Sequence, residues 1–295
     1  MTLTRSFTYV KPGSLPEALA LLAEHGRGAA VLAGGTDLVS WMRDDLVAPE
    51  VVVDLKGLPG LGGIALVNGT LRLGALATFS DLLRSPAVAA AMPVLAEMAG
   101  TVASVGIRNR ATVAGNLCSA VPSNDAGPAL LAAGAILQVA GREGERTIRL
   151  ADWFLGPRRT SLREGELVTG ITVPLPGPHG GCYLKLGRYR GEDLAQASVA
   201  VLALPGHRYR IAFGAVAPAT VRAAAIEAHL AGRPLDDAAL AGAAALVAGE
   251  ISPITDIRAS ADYRRHMCRV MLVRALRAAA GRLAGGGPPY GERLL

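Results

Sequence analysis

An apolar run ends in a glycine loop, Val31-Leu32-Ala33-Gly34-Gly35-Thr36-Asp37-Leu38. A second loop reads Arg108-Asn109-Arg110-Ala111-Thr112-Val113-Ala114-Gly115-Asn116-Leu117, and Pro122-Ser123-Asn124-Asp125 follows it. Neither loop has the spacing of a G-x-G-x-x-G dinucleotide fingerprint or of a G-x-x-x-x-G-K-[ST] phosphate loop. Both combine small residues, which let the backbone approach a ligand, with hydroxyl or amide side chains beside N–H groups. Two such loops predict one large anionic ligand held at two places, such as a dinucleotide with its two phosphates.

The composition indicates a globular protein with room for two or three compact units. The chain has 295 residues, of which 51% are hydrophobic and 4% aromatic, and its formal net charge is +6. Arginines are spread along the chain rather than clustered with aromatic residues, which favours a mildly basic surface over nucleic-acid binding. The first ten residues lack the pattern of a signal peptide, and no apolar run reaches the length of a membrane span. We therefore expect a cytoplasmic protein.

The cysteines argue against a metal or cluster site on this chain. Cys118, Cys182 and Cys268 are far apart and odd in number, which disfavours both a disulfide framework and a Cys-x-x-Cys ligand pair. The G-x-S-x-G and H-E-x-x-H motifs are missing as well, and we predict no catalytic residue. Any redox chemistry is therefore expected to come from a bound organic cofactor.

Local signals divide the chain into three parts and predict an α+β fold. The first part contains a helix that begins at a capping box, Ser14-Leu15-Pro16-Glu17, and strands at 29–33 and 51–55. The second begins with a hairpin whose turn is Asn68-Gly69. A Pro/Gly cluster at 174–181 is the predicted linker. Beyond it we predict a three-stranded meander, three helices and a flexible tail at 284–295.

Three motifs in order resemble one known family. The loop at 33–38 resembles the first flavin loop of the medium, FAD-binding subunit of molybdenum hydroxylases, the xanthine dehydrogenase and aerobic carbon monoxide dehydrogenase family. Residues 107–117 are similar to its second loop, usually written I-R-N-R-G-T-I-G-G-N, with Ala111 and Ala114 where glycine is usual. Residues 252–258 with 261–265 resemble its carboxyl-terminal signature. The resemblance extends from near the start to about residue 280.

The resemblance implies a fold, a cofactor and domain limits. The expected fold is a vanillyl-alcohol-oxidase or PCMH-type FAD-binding domain at 1–176, with two α/β subdomains at about 1–56 and 57–176. A domain like the carbon monoxide dehydrogenase flavoprotein carboxyl-terminal domain follows at 180–283, with a three-stranded antiparallel sheet and helices. FAD is expected to bind non-covalently. The four-cysteine insertion that carries a further iron–sulfur cluster in one branch of the family is absent.

The resemblance also implies which residues contact FAD. N–H groups of the first loop and residues Thr112, Gly115 and Asn116 would hold the pyrophosphate, and a Cβ at Gly34 or Gly115 would push a phosphate away. The predicted set is Val31, Leu32, Ala33, Gly34, Gly35, Thr36, Asp37, Leu38, Ala103, Thr112, Val113, Ala114, Gly115, Asn116, Asp125, Val168, Tyr183 and Lys185.

Four of these residues carry distinct expectations. Asp125 would accept a hydrogen bond from a ribityl or ribose hydroxyl, cap the following helix, or do both. Tyr183 and Lys185 lie two apart on a predicted strand and share a face, so Tyr183 could pack over the flavin ring and Lys185 could place its charge near the N1/O2 edge. The alternative is a half-exposed edge strand with a solvated lysine. Val168 would touch the ring with its apolar side chain.

The function implied by the resemblance is electron transfer within a larger enzyme. Electrons would reach FAD from a small [2Fe–2S] subunit, after a large molybdenum-pterin subunit has oxidised substrate, and would pass to NAD or another acceptor. The assembly is expected to be a dimer of heterotrimers. One alternative is a stand-alone flavin-dependent oxidoreductase of the same fold superfamily. Another is a structural subunit that has lost its flavin, although the intact glycine loops argue against it.

Overall fold

The computed structural model describes residues 5–189 and 192–295 and arranges them around four β-sheets. The amino-terminal sheet has three parallel strands in the order β1-β3-β2, and every residue of β3 is buried. The hydroxyl of Ser14 accepts the N–H of Glu17 and begins α1, which ends before Gly26 at a φ of +50°. The elements are β1 (Thr8–Val10), α1 (Leu15–His25), β2 (Ala29–Leu32), α2 (Leu38–Arg43) and β3 (Val51–Asp54).

The second unit is an antiparallel sheet with helices packed against it. Its strand order is β4-β5-β10-β6-β7. Positive φ angles of 49° at Asn68 and 70° at Gly69 close the predicted hairpin. Its elements are β4 (Ile64–Val67), β5 (Thr70–Gly74), α3 (Phe79–Arg84), α4 (Pro86–Ala91), α5 (Pro93–Gly100), α6 (Val105–Arg108), α7 (Val113–Ser119), α8 (Ala126–Ala133), β6 (Ile136–Gly141), β7 (Gly144–Arg149), a separate hairpin of β8 (Phe154–Gly156) and β9 (Arg159–Thr160), and β10 (Leu167–Pro174).

The carboxyl-terminal unit is a four-stranded antiparallel meander with three helices. The sequence predicts three strands here, and the structure adds a two-residue strand at the sheet edge. Two residues are too short to show an alternating pattern, so the sequence gives no signal for this strand. The elements are β11 (Gly180–Leu186), β12 (Ala197–Leu204), β13 (Arg208–Gly214), β14 (Val221–Arg222), α9 (Ala224–Leu230), α10 (Asp237–Glu250) and α11 (Ala261–Leu283). The predicted α+β organisation is confirmed.

The carboxyl-terminal sheet is buried on both faces and joins two cores. Alternate residues such as Tyr183, Ala200 and Leu202 pack into the core of the second unit, beside α5 and α8. Their neighbours in sequence, such as Leu184 and Val201, pack against α9, α10 and α11 instead. Because side chains alternate across a strand, β11 presents every second residue to the second unit.

A buried ion pair connects the last helix of the carboxyl-terminal unit to the second unit. The guanidinium of Arg282 in α11 lies 2.9 Å from the carboxylate of Glu97 in α5, and their side chains are only 4% and 5% exposed. Arg282 also donates to the carbonyl oxygen of Gly181 at 2.6 Å. The ring of Tyr290 lies 4.0 Å from the guanidinium carbon, and the N–H of Gly291 donates to Glu97. Part of the segment predicted to be a flexible tail therefore lies against the protein in the structure.

Within residues 5–189 and 192–295, no helix combines the length and the apolar composition that crossing a membrane requires.

The Glu97–Arg282 pair should matter for stability far more than an exposed pair does. Arg282→Met leaves the Glu97 carboxylate buried without its cation, and we expect the free energy of unfolding to fall by about 3 kcal/mol, as for other broken buried pairs. Urea denaturation of the full chain measures this. The control is Arg84→Met, because the Arg84–Asp81 pair is 70% and 43% exposed and should contribute less than about 1 kcal/mol. Equal losses in the two variants would contradict the prediction.

Candidate functional site

A cleft of about 950 Å³ lies where residues of all three units meet. It is near the upper end of the volumes usual for cofactor sites. All of the residues predicted to contact FAD line this cleft except Leu32, Val113, Tyr183 and Lys185. The structure thus brings the two glycine loops together on one cavity, as the sequence predicts for a single ligand held at two places.

The first loop presents unpaired backbone donors to the cleft. It connects β2 to α2, and Gly35 has a φ of +77°, a conformation that favours glycine. Across the described part of the chain, no acceptor pairs with the N–H groups of Gly34, Gly35, Thr36 or Asp37. Consecutive free N–H groups of this kind form a concave site for an anion. The loop is therefore suited to hold a phosphate.

The second loop is shaped by a helix cap. The hydroxyl of Thr112 begins α7 by accepting the N–H of Gly115 at 3.0 Å. A Cβ at position 115 would lie 2.7 Å from that hydroxyl oxygen. The amide oxygen of Asn116 accepts the N–H of Ala126 at 3.1 Å and so connects α7 to the start of α8. Glycine at 115 thus preserves the cap as well as access to the cleft.

The two loops are in direct contact with each other. A Cβ at position 34 would overlap the carbonyl oxygen of Arg110 and would lie 2.7 Å from its carbonyl carbon and 2.9 Å from the Cα of Ala111. Glycine at 34 is thus required by the backbone of the other loop, in addition to the predicted approach of a phosphate. The hydroxyl of Ser119 in α7 donates to the carboxylate of Asp37 and joins the loops at a second point.

A buried ion pair reaches the cleft from the carboxyl-terminal sheet. The carboxylate of Asp125 accepts a hydrogen bond from the ammonium of Lys185 at 2.9 Å and another from the hydroxyl of Tyr183 at 3.1 Å. The Lys185 side chain is 7% exposed and that of Asp125 is 10% exposed, so the alternative of a solvated lysine does not hold. Asp125 occupies the residue before α8, but its side chain makes no capping hydrogen bond. Of the three, only Asp125 lines the cleft.

The environment of these groups changes their proton affinity. Burial raises the pKa of Asp125, and the ammonium of Lys185 and the hydroxyl of Tyr183 offset only part of that effect. Burial, followed by the negative charge of Asp125, raises the pKa of Tyr183 well above its usual value. Tyr183 therefore keeps its proton, and it supports Asp125 as a hydrogen-bond donor rather than packing over a ligand in the cleft.

Backbone contacts fix the strand that carries this pair. The N–H of Tyr183 donates to Glu97 at 2.7 Å, and Lys185 also donates to the carbonyl oxygen of Thr101 at 3.0 Å. A further arginine, Arg108, donates to the carbonyl oxygens of Val102 and Ala103 at 2.6 Å each. Ala103 has a φ of +37°, which is unusual for a residue with a Cβ. The Arg108 guanidinium thus holds the cleft wall at Ala103.

Part of the cleft wall consists of residues that the sequence does not predict to contact FAD. The segment that follows β11 contributes Arg188, Tyr189, Glu192, Asp193 and Leu194, and Trp41 of α2 also lines the cleft. Among these, Arg188 and Asp193 form an ion pair at 3.3 Å. The sequence offers only a weak signal for this wall, an aromatic residue three positions after the first glycine loop and another three positions after β11.

No group of three or more His, Cys, Asp or Glu side chains is placed to hold a metal ion within the ranges 5–189 and 192–295.

Two family comparisons together account for nearly the whole chain. The family described as the FAD binding domain in molybdopterin dehydrogenase matches residues 5–176. The family described as the CO dehydrogenase flavoprotein C-terminal domain matches residues 182–279.

Individual relatives from these families align with this chain over nearly their full length. The carbon monoxide dehydrogenase medium chain of Hydrogenophaga pseudoflava is 35% identical over 282 residues, which cover 94% of this chain and 98% of the relative. The xanthine dehydrogenase FAD-binding subunit of Escherichia coli O157:H7 is 29% identical, with 94% and 98% covered. A solved structure of the Hydrogenophaga pseudoflava carbon monoxide dehydrogenase, in a form lacking the Mo-pyranopterin moiety, gives a TM-score of 0.92 at 37% identity, with 96% of this chain and 99% of that chain covered. The chain therefore belongs to the FAD-binding medium subunits of the molybdenum hydroxylase family, as flavoprotein oxidoreductase subunits of the carbon monoxide and xanthine dehydrogenase type.

Proposed function

We propose that this chain relays electrons, receiving them from [2Fe–2S] clusters of a small partner subunit and passing them to NAD or another external acceptor. The observation that carries the proposal is the cysteine set. A [2Fe–2S] cluster needs four protein ligands, usually thiolates, and the full sequence contains three scattered cysteines. The three thiols are widely separated in the sequence, and burial raises the pKa of each to about 12. The clusters and the molybdenum cofactor would then belong to partner subunits.

The residues of the cleft fit FAD. The free N–H groups of residues 34–37 and the capped start of α7 would hold the pyrophosphate from two sides. Asp125 accepts two hydrogen bonds from the protein, and a carboxylate has room for about four, so it can still accept a ribityl hydroxyl. Val168 and Ala103 would face the flavin ring. Bound FAD supplies a centre that can take up electrons one or two at a time.

The buried pair has a defined electrostatic role in this proposal. Burial raises the pKa of Asp125, and Lys185 opposes that effect by favouring the ionised carboxylate. The pair is neutral overall, so it places no net charge beside the cofactor. Without the ammonium, the Asp125 carboxylate alone would oppose added negative charge on the flavin.

The wider assembly forms part of the same proposal. Relatives named as medium chains support a large and a small partner subunit. We assign the molybdenum cofactor to the large subunit and the iron–sulfur clusters to the small one, in a cytoplasmic dimer of heterotrimers. The domain limits of this chain would be 1–176 and 180–283. The stand-alone flavin oxidoreductase is the competing function.

Gly34→Ala should weaken FAD binding without unfolding the chain. The added Cβ meets the backbone of the second loop, so the loops must separate, and overpacking of this kind typically costs about 1–3 kcal/mol, or roughly tenfold to hundredfold in affinity. Titration of the deflavinated chain with FAD measures the loss. Gly249→Ala is the control, since an added Cβ there meets nothing within 4 Å. An affinity equal to that of the control would mean that the contact between the loops does not shape the site.

Lys185→Met should leave FAD content close to wild type but change the flavin midpoint potential in a pH-dependent way. The remaining Asp125 carboxylate opposes added negative charge, so at high pH we expect a potential on the order of 30 mV lower, which is about tenfold in a two-electron equilibrium. The pKa of Asp125 rises further once its cation is gone. The difference from wild type should therefore shrink as the pH falls and the carboxyl takes up a proton.

The control for this experiment is the double variant Lys185→Met/Asp125→Asn, in which both members of the pair are uncharged. Spectroelectrochemistry should give it a potential near that of wild type at every pH. A single variant with an unchanged potential across the pH range would remove Lys185 from any electrostatic role.

Reconstitution tests the relay itself. Purified alone, the chain should be yellow but should not hydroxylate substrate. Coexpressed with a large molybdenum-pterin subunit and a small iron–sulfur subunit, it should copurify with both, and substrate should bleach the flavin absorbance only in that assembly. Substrate turnover by the isolated chain would instead establish the stand-alone oxidoreductase.

A further inference from the structure

The cleft contains an aromatic residue, Trp41, that belongs neither to the glycine loops nor to the Asp125–Lys185 pair. Trp41 in α2 lines the cleft, and the guanidinium carbon of Arg158 lies 4.9 Å from the centre of its ring. Arg158 does not itself line the cleft. One face of the indole is therefore covered from outside, while the residue still borders the cavity.

The arginine is held in place by its own backbone. Arg158 lies in the turn between β8 and β9 with a φ of +56°, and its N–H donates to the carbonyl oxygen of Ala120 at 2.8 Å. Ala120 directly follows α7, the helix that the second glycine loop begins. The hairpin thus extends from the second unit to a tryptophan of the first unit. A guanidinium over an indole face is attracted to the ring, so the contact helps to hold the orientation of Trp41.

The neighbours of Trp41 form a small apolar wall. The N–H of Leu46 donates to the carbonyl oxygen of Trp41 at 2.8 Å, which folds the segment after α2 back onto the helix. The N–H of Glu50 then donates to the carbonyl oxygen of Gly28, which places this segment beside the start of β2. The cleft-lining residues of these two segments are Ala29, Ala30, Val31, Val47, Ala48 and Pro49. Small side chains beside an indole suit a flat aromatic group better than a phosphate or a sugar.

The position of this wall identifies which half of FAD it would contact. Trp41 and its neighbours belong to the first unit, and the first phosphate loop lies between β2 and α2 in that same unit. The proposed flavin contacts, Asp125 and Val168, belong to the second unit. A ligand whose phosphates lie on the two loops would place its two ring systems on opposite sides of them.

We propose that Trp41, covered by Arg158, is the platform on which the adenine of FAD stacks, and that it makes the chain select FAD over FMN. The inference rests on FAD binding and on the placement of the flavin proposed above. It does not depend on where the electrons come from or go, so a failure of the relay proposal would leave it standing.

Binding titrations with FAD, FMN and ADP on the deflavinated full chain test the platform. Stacking of a base on an aromatic side chain is typically worth about tenfold in affinity. Trp41→Leu should therefore weaken FAD and ADP about tenfold and leave FMN, which has no adenine, unchanged. Trp41→Phe keeps a ring and should restore most of the loss. Arg158→Ala should weaken FAD and ADP by a smaller factor, whereas Arg159→Ala, on the same hairpin, should have no effect.

Fluorescence gives a second measurement that a purely structural role would not affect. The chain has two tryptophans, and Trp153 is fully buried. ADP should therefore quench the emission of Trp41 in the wild type, and Trp41→Leu should abolish that quenching. Equal weakening of FMN and FAD, an unchanged FAD affinity in Trp41→Leu, or quenching that persists in that variant would each overturn the proposal.

Discussion

Contact between the backbone at Gly34 and the carbonyl of Arg110 sets the distance between the two phosphate-binding loops. The loops belong to different units of the fold, and that distance determines whether one dinucleotide can meet both. The hydrogen bond between Ser119, the last residue of α7, and Asp37 forms a second link. Because both links join protein to protein, the cleft is formed before any ligand arrives. The loops therefore lose their conformational entropy during folding, and ligand binding does not have to order them.

The third unit completes the cleft because the side chains of one strand, β11, alternate between the two faces of its sheet. Tyr183 and Lys185 lie on the face of β11 that packs against the second unit, whereas Leu184 lies on the face that packs against the helices. Their contacts with Asp125 favour its ionised form in a site where burial raises its pKa. A one-residue change of register in β11 would direct these side chains to the other core. The packing of a whole domain thus supports the ionisation state of one carboxylate.

Local signals were sufficient where the determinants of structure are local. The glycine loops, the capped start of α1 and the Asn68-Gly69 turn each depend on residues within a short stretch, and the structure has them where the sequence predicts. The bond between Asp125 and Lys185 joins residues 60 positions apart, and Trp41 meets Arg158 across two units. Such pairs depend on how sheets and helices pack, and no spacing in the sequence encodes them. The same holds for the exclusion of Tyr183 from the cleft, which follows from its hydrogen bond to a buried acid.

The Glu97–Arg282 pair also constrains the order in which the protein matures. The two residues are separated by 185 positions along the chain. A ribosome delivers the amino-terminal part first, so Glu97 and the helix that carries it emerge long before their cation is synthesised. The strand with Lys185 receives its backbone contact to Glu97 in the same interval, without the arginine that neutralises it. The strand that carries Tyr183 and Lys185 therefore reaches its final environment only after α11 has been synthesised.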